Sequence, residues 1–135
     1  MDRGDTPSRG LTTGLLRKAV YGTRKAAQAW QVYMANVYKT NSWTRIAVAA
    51  GAYYEPMLDM TSAIHGDDVI TEGEPEALDE LDRQLGADMD VKCLGRVGPE
   101  GVEERTYLKR TIRWTGRGFA WIGDGKHIQR AVDLL

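Results

Sequence analysis

Asp67 and Asp68 are the side chains best placed by type and spacing to do chemistry. They lie in Thr61-Ser62-Ala63-Ile64-His65-Gly66-Asp67-Asp68-Val69-Ile70-Thr71. Val, Ile and Thr favour strands, and Gly-Asp between two such runs is hairpin chemistry. The spacing predicts strand, tight turn, strand, with both carboxylates at the turn. Two carboxylates ~4 Å apart repel by about 4 kcal/mol at an effective dielectric of ~20. A divalent cation relieves that repulsion, and Mg2+ takes one or two carboxylates together with waters and substrate phosphates. An Asp-Asp hairpin tip is therefore half of a two-metal site for phosphoryl or nucleotidyl transfer. The competing reading is an ordinary solvated turn, since Gly and Asp are common turn residues.

The flanking chain must position that pair. Residues 1–14 are rich in Gly, Pro and Ser and read as a flexible lead-in. Leu15 to Tyr21 reads as a short strand, broken at Gly22, and Thr23 is a fair N-cap. Ala26, Trp30, Met34 and Val37 share one helical face, so a helix is expected over Ala26–Tyr38 with that stripe in the core. Trp43 to Tyr54 is expected to be a strand ended by Glu55-Pro56. Strands over Met60–Ile64 and Val69–Thr71 flank the turn. Pro75 opens an acidic helix with Leu78, Leu81 and Leu85 inward and Gly86 as its stop.

Met89 to Cys93 reads as a strand, with Cys93 a small core residue. Thr106 to Trp114 reads as one longer strand in which apolar and basic residues alternate. Thr115 to Gly118 turns it into Phe119–Ile122. Ile128, Ala131, Val132 and Leu135 form the face of a last helix. Mixed order with antiparallel pairs gives an α+β class, with helices on one face of an antiparallel sheet.

A chain of 135 residues fits one domain with a real core. One cysteine excludes a disulfide framework and a Cys/His zinc site, and so favours a reducing, intracellular setting. No leader or membrane span is legible, and no membrane partner is expected. The net charge of -1 hides a strong pattern. Residues 59–90 carry eleven acidic and one basic side chain; residues 91–135 carry nine basic and five acidic. An acidic centre between basic flanks suits a metal site between surfaces that hold a polyanion, although a solvated helix face gives the same count.

Three segments, taken in order, resemble the reverse transcriptase of copia-type retrotransposons. Leu16-Arg17-Lys18-Ala19-Val20-Tyr21-Gly22-Thr23-Arg24-Lys25-Ala26-Ala27-Gln28-Ala29-Trp30 is similar to that family's Leu-x-Lys-Ala-Leu-Tyr-Gly-Leu-Lys-Gln-Ala-Pro-Arg-Ala-Trp segment. Ile64-His65-Gly66-Asp67-Asp68-Val69 followed by Gly73 resembles its Tyr-Val-Asp-Asp turn, closest to branches that write His-Gly-Asp-Asp. Pro75 to Leu81, through Met89-Asp90-Val91-Lys92-Cys93-Leu94-Gly95, resembles its helix and Phe-x-Met-Lys-Asp-Leu-Gly ending. The tail from Lys126 resembles the helix that enters the thumb. The likeness runs from Leu15 to Leu135: a partial palm over 15–122 and the start of the thumb over 123–135.

The resemblance implies an RNA-directed DNA polymerase, with Asp67 and Asp68 as catalytic and metal-binding carboxylates for Mg2+ or Mn2+. Tyr21, Gly22, Arg24 and Lys25 would meet incoming dNTP and template. His65, Gly66, Lys109, Arg110 and Arg113 would lie along the primer, His65 by packing at the turn rather than as an acid. The partners implied are an RNA template with its DNA primer, dNTP, and the fingers and first palm strand of a parent polyprotein. The pattern also departs from the family: Lys25 stands for Gln, and Ala27 for Pro. The family's third carboxylate, before Ala-Phe-Leu, has no counterpart, because Asp2 and Asp5 sit in the lead-in. The expectation is a fragment without polymerase activity as an isolated chain. A non-enzymatic α+β module that binds nucleic acid or protein is the competing expectation.

Overall fold

The computed structural model describes Lys18, Val20 and residues 22–134, without the side chains of His127 and Ile128. The strand expected over Leu15–Tyr21, and Tyr21 itself, lie outside the described residues. Helix α1 spans Arg24–Thr40. It begins where the sequence placed its cap: the Thr23 hydroxyl accepts from the Ala26 N–H at 3.2 Å. Then come β1 (Thr44–Arg45), β2 (Ala52–Glu55), β3 (Met60–His65), β4 (Asp68–Glu72) and α2 (Pro75–Asp88). Strands β5 (Glu104–Tyr107), β6 (Arg110–Trp114) and β7 (Phe119–Ile122) and helix α3 (Gly125–Asp133) complete the chain. The class is α+β. Both sheets are antiparallel, one ordered β1-β2-β3-β4 and the other β5-β6-β7.

The main core lies between α1, α2 and one face of the four-stranded sheet. Met34, Val37 and Tyr38 come from α1, Ala77, Leu81 and Leu85 from α2, and Tyr53 and Met60 from the sheet, joined by Trp43. Register explains the sidedness. Tyr53 pairs with Ser62, Glu55 with Met60 and Ser62 with Thr71, so these side chains share the inner face. The polar groups taken inside are satisfied. Tyr38 and Ser62 share a hydrogen bond of 2.9 Å, Thr71 Oγ1 donates to Ser62 Oγ at 2.9 Å, and Trp43 Nε1 donates to Gln84 Oε1 at 3.0 Å. Burial pushes the Tyr38 phenol up, against the lowering effect of Ser62. The buried Glu55 accepts from the Leu58 N–H at 2.6 Å and the Met57 N–H at 3.2 Å, which closes the β2–β3 turn at Pro56.

Five expectations need correction. The Trp43–Tyr54 strand is two short strands folded on each other, because residues 46–51 reverse the chain through Gly51 at φ 76. Helix α2 does not stop at Gly86. Its interior glycine costs only about 1 kcal/mol, and the Tyr33 hydroxyl donates to the Asp88 carbonyl at 2.7 Å, satisfying an end group that would otherwise lack a partner. Met89–Cys93 is not a strand, and Cys93 is exposed, because only Met89 of that stretch touches the core. The strand expected over Thr106–Trp114 is a hairpin. Leu108 and Lys109 form its two-residue turn at φ 47 and 62, residues that rarely adopt the left-handed region. The apolar face expected on the last helix is not buried as far as it is described: Ala131 and Val132 are exposed.

Candidate functional site

The Asp pair stands at the tip of the β3–β4 hairpin. His65 pairs with Asp68, so Gly66 and Asp67 form a two-residue loop. Gly66 has φ 62 in the first central position, the place where a type II′ turn requires glycine. Asp67 is thus a loop residue, while Asp68 is the first residue of β4. His65, Gly66, Asp67 and Asp68 are all exposed, so His65 projects outward instead of packing at the turn as expected. By register, His65 and Asp68 lie on the sheet face away from the two helices, with Ala63 and Ile70 behind them.

Helix α1 fixes the tip. Trp30 Nε1 donates to the Gly66 carbonyl at 2.6 Å. Trp30 lies six residues along α1 from Arg24, about 9 Å at the helical rise. The turn therefore sits beside the first half of α1, near the Gly22–Lys25 bend. Gly22 is in the left-handed region at φ 88, and Arg24 and Lys25 are exposed in a first helical turn that holds no acidic residue. Cations at that end oppose the helix dipole and leave it open to an anion. Lys25 also borders a groove of about 640 Å3 with Gln28, Val32 and Asn36.

The residues expected along the primer are not all brought together. Lys109 is at the β5–β6 turn and Arg110 opens β6 opposite Tyr107. Arg113 faces the other side of that sheet, ion-paired to Glu104 at 2.7 Å. Tyr107 of the β5–β6 hairpin is within electrostatic reach of Asp68. Burial pushes the Tyr107 phenol up, and the Asp68 carboxylate adds to that shift, so β5 lies close enough to sense Asp68. Lys109 also lines a cavity of about 410 Å3 with Asp124, Lys126 and Arg130. The sequence reading missed Trp30 as an anchor, Tyr107 as a group that senses Asp68, and Lys126 and Arg130 as partners of Lys109 around its cavity. Only the period-two alternation Arg105-Tyr107 hinted at a shared face.

The donor set bounds the metal chemistry. Among the described residues no group of three or more His, Cys, Asp and Glu is placed to hold a metal ion. Two carboxylates match what Mg2+ takes from a protein when substrate phosphates complete its shell. Asp67 and Asp68 would hold such an ion only jointly with a bound phosphate. Bound there, it would act as a Lewis acid on a hydroxyl and neutralise charge on the phosphate. No helix of the described residues is long and apolar enough to cross a membrane. No protein-family model, no curated protein and no solved structure matches the chain.

Proposed function

We propose that the chain is a partial palm of a copia-type RNA-directed DNA polymerase and that, alone, it does not carry out nucleotidyl transfer. The observation that carries this reading is the Gly66-Asp67-Asp68 hairpin tip, held against α1 by the Trp30–Gly66 hydrogen bond. Register puts Asp68 on the helix-free side of the sheet with Asp67 in the adjoining loop, and the tip is anchored to the same helix that begins after the Gly22 bend, which supports the reading. The expected inactivity is supported by the absence, among the described residues, of a third His, Cys, Asp or Glu grouped with the pair. In a complete enzyme, Mg2+ or Mn2+ at Asp67 and Asp68 would serve RNA template, DNA primer and dNTP.

Primer extension on a poly-A template with Mg2+ or Mn2+ tests the isolated chain. Incorporation no greater than that of Asp67→Asn is expected, and robust Asp67-dependent extension would overturn the inactivity. A chimera behind the fingers and first palm strand of a working copia-type enzyme tests the family reading. Asp67-dependent extension is expected; a folded chimera that stays inactive rejects it. The short donor set also favours a second reading, an α+β module that binds nucleic acid with Asp67 and Asp68 as turn residues. Salt-dependent binding of RNA–DNA duplex unchanged by Asp67→Asn, with an inactive chimera, selects that reading.

A further inference from the structure

The β5-β6-β7 sheet has two unlike faces. Register puts Arg105 opposite Ile112 opposite Trp121, Tyr107 opposite Arg110, and Trp114 opposite Phe119. Directly paired residues share a face, so all seven side chains lie on one side. The other side carries the Glu104–Arg113 ion pair with Thr106, Thr111 and Ala120. On the aromatic side, Tyr107 meets Trp121 edge-on at 6.5 Å and Trp114 lies against Phe119 at 5.1 Å. Ile112 shares this face and is the only buried residue among the described part of this sheet, yet Phe119 remains 49% and Trp121 55% exposed.

We propose that this face binds single-stranded nucleic acid, with unpaired bases stacked on Phe119 and Trp121 and the backbone held by Arg105 and Arg110. Phe119 and Trp121 are two residues apart on one strand, about 7 Å. That is roughly twice the 3.4 Å rise of stacked nucleotides, which leaves room for one base on each ring. Neither Arg105 nor Arg110 is ion-paired among the described residues. Gly95 leaves room for the Arg105 side chain: a Cβ there would come within 2.8 Å of its Nε. Lys109, next to Arg110 in sequence, lines a cavity with Lys126, Arg130 and Asp124, three cations against one carboxylate and so a net basic continuation for the phosphates. The occupant follows from this chemistry. Exposed rings between guanidinium groups suit a polyanion whose bases offer free π-faces. A duplex hides those faces, and a symmetric second copy would set arginine against arginine. The face borders the acidic pair, since Tyr107 senses Asp68; the proposal rests on the nucleic-acid-binding reading, and the primer-extension chimera tests the polymerase reading separately.

The test is anisotropy of a labelled short oligodeoxythymidylate titrated with the full chain, alongside tryptophan emission. Binding with quenching is expected, weaker for a duplex of equal length. Trp121→Ala and Phe119→Ala should each weaken binding by about tenfold. Arg110→Ala should reduce the slope of log affinity against log salt by about 0.7. Trp121→Tyr, which keeps a stacking ring, should retain most of the affinity. If an alanine variant fails to fold, Trp121→Tyr decides, because its quenching must fall while binding persists. Affinity unchanged in both folded alanine variants, equal affinity for duplex, or dimerisation without oligonucleotide binding would each overturn the proposal.

Discussion

The four-stranded and three-stranded sheets are built to opposite specifications. In the first, one face is roofed by two helices; Tyr38, Met34, Met60 and Ser62 are fully buried, and each buried polar group has a partner. In the second, Ile112 is buried on a face where Phe119 and Trp121 stay half in water, and α3 contributes nothing to the main core as described. Arg96 joins α2 to the connecting loop, through Asp79 and Asp82 at 2.8 Å and the Pro75 carbonyl at 3.2 Å. Such exposed pairs contribute little individually. The difference teaches where stability and adhesion are divided: the helix-roofed sheet holds the fold and presents the Asp pair, while the smaller sheet presents sticky surface.

Removing the centre of the larger core should have the greatest effect. Tyr38→Ala should cost about 3–5 kcal/mol in urea unfolding, against less than about 1 kcal/mol for the half-exposed Phe119→Ala. Equal losses would erase the distinction between the sheets. Ile112→Ala should cost about 2 kcal/mol, the low end for such a truncation. Hydrogen exchange should then speed up in β5–β7 while β2 and β3 keep their protection; uniform acceleration would mean that the two sheets unfold as one.

Smaller changes sharpen the same contrast. Replacing Leu108-Lys109 by Asn-Gly should stabilise the hairpin by about 1 kcal/mol, because both positions have positive φ. A loss would show that those side chains matter more than the turn. Trp30→Phe should cost about 1 kcal/mol and expose the amides of Gly66 to Asp68 to exchange. Protected amides would mean that the hairpin tip does not depend on α1.

The smallest effect is electrostatic. Hydrogen bonding from Arg83, then Gln84, lowers the Glu80 carboxyl from 4.5 to about 2. Its folded value lies below its unfolded one, so its contribution is present above about 4.5 and disappears as pH falls towards 2. Glu80 is solvent-accessible, so Glu80→Gln should only slightly flatten the acid limb of a stability–pH curve. A large change would place Glu80 in a tighter network.

The parts legible in advance were those governed by local rules. The Thr23 cap, the Met34–Val37 stripe, the Gly66-Asp67 turn and the Leu81–Leu85 face each follow from near neighbours in sequence. The failures share a cause: a distant group overrode a local preference. Tyr33 carried α2 past Gly86, and cross-strand pairing forced Leu108 and Lys109 into a conformation that neither residue advertises. Cys93 misled because a β-like run of five residues found no sheet to join.

For the candidate site, the amino-acid order alone determined that Asp67 would sit in the hairpin turn with Asp68 adjoining it, because a two-residue turn is set by the residues in it. Only the tertiary structure decided what surrounds that tip. The Trp30 indole reaches it across 36 residues, and Tyr107 approaches Asp68 from another sheet. It also decided that Arg110 and Arg113 face opposite ways, and that Arg105, Phe119 and Trp121 face together. Such juxtapositions depend on strand register and on the entropy of closing long loops, terms that no short stretch of chain contains.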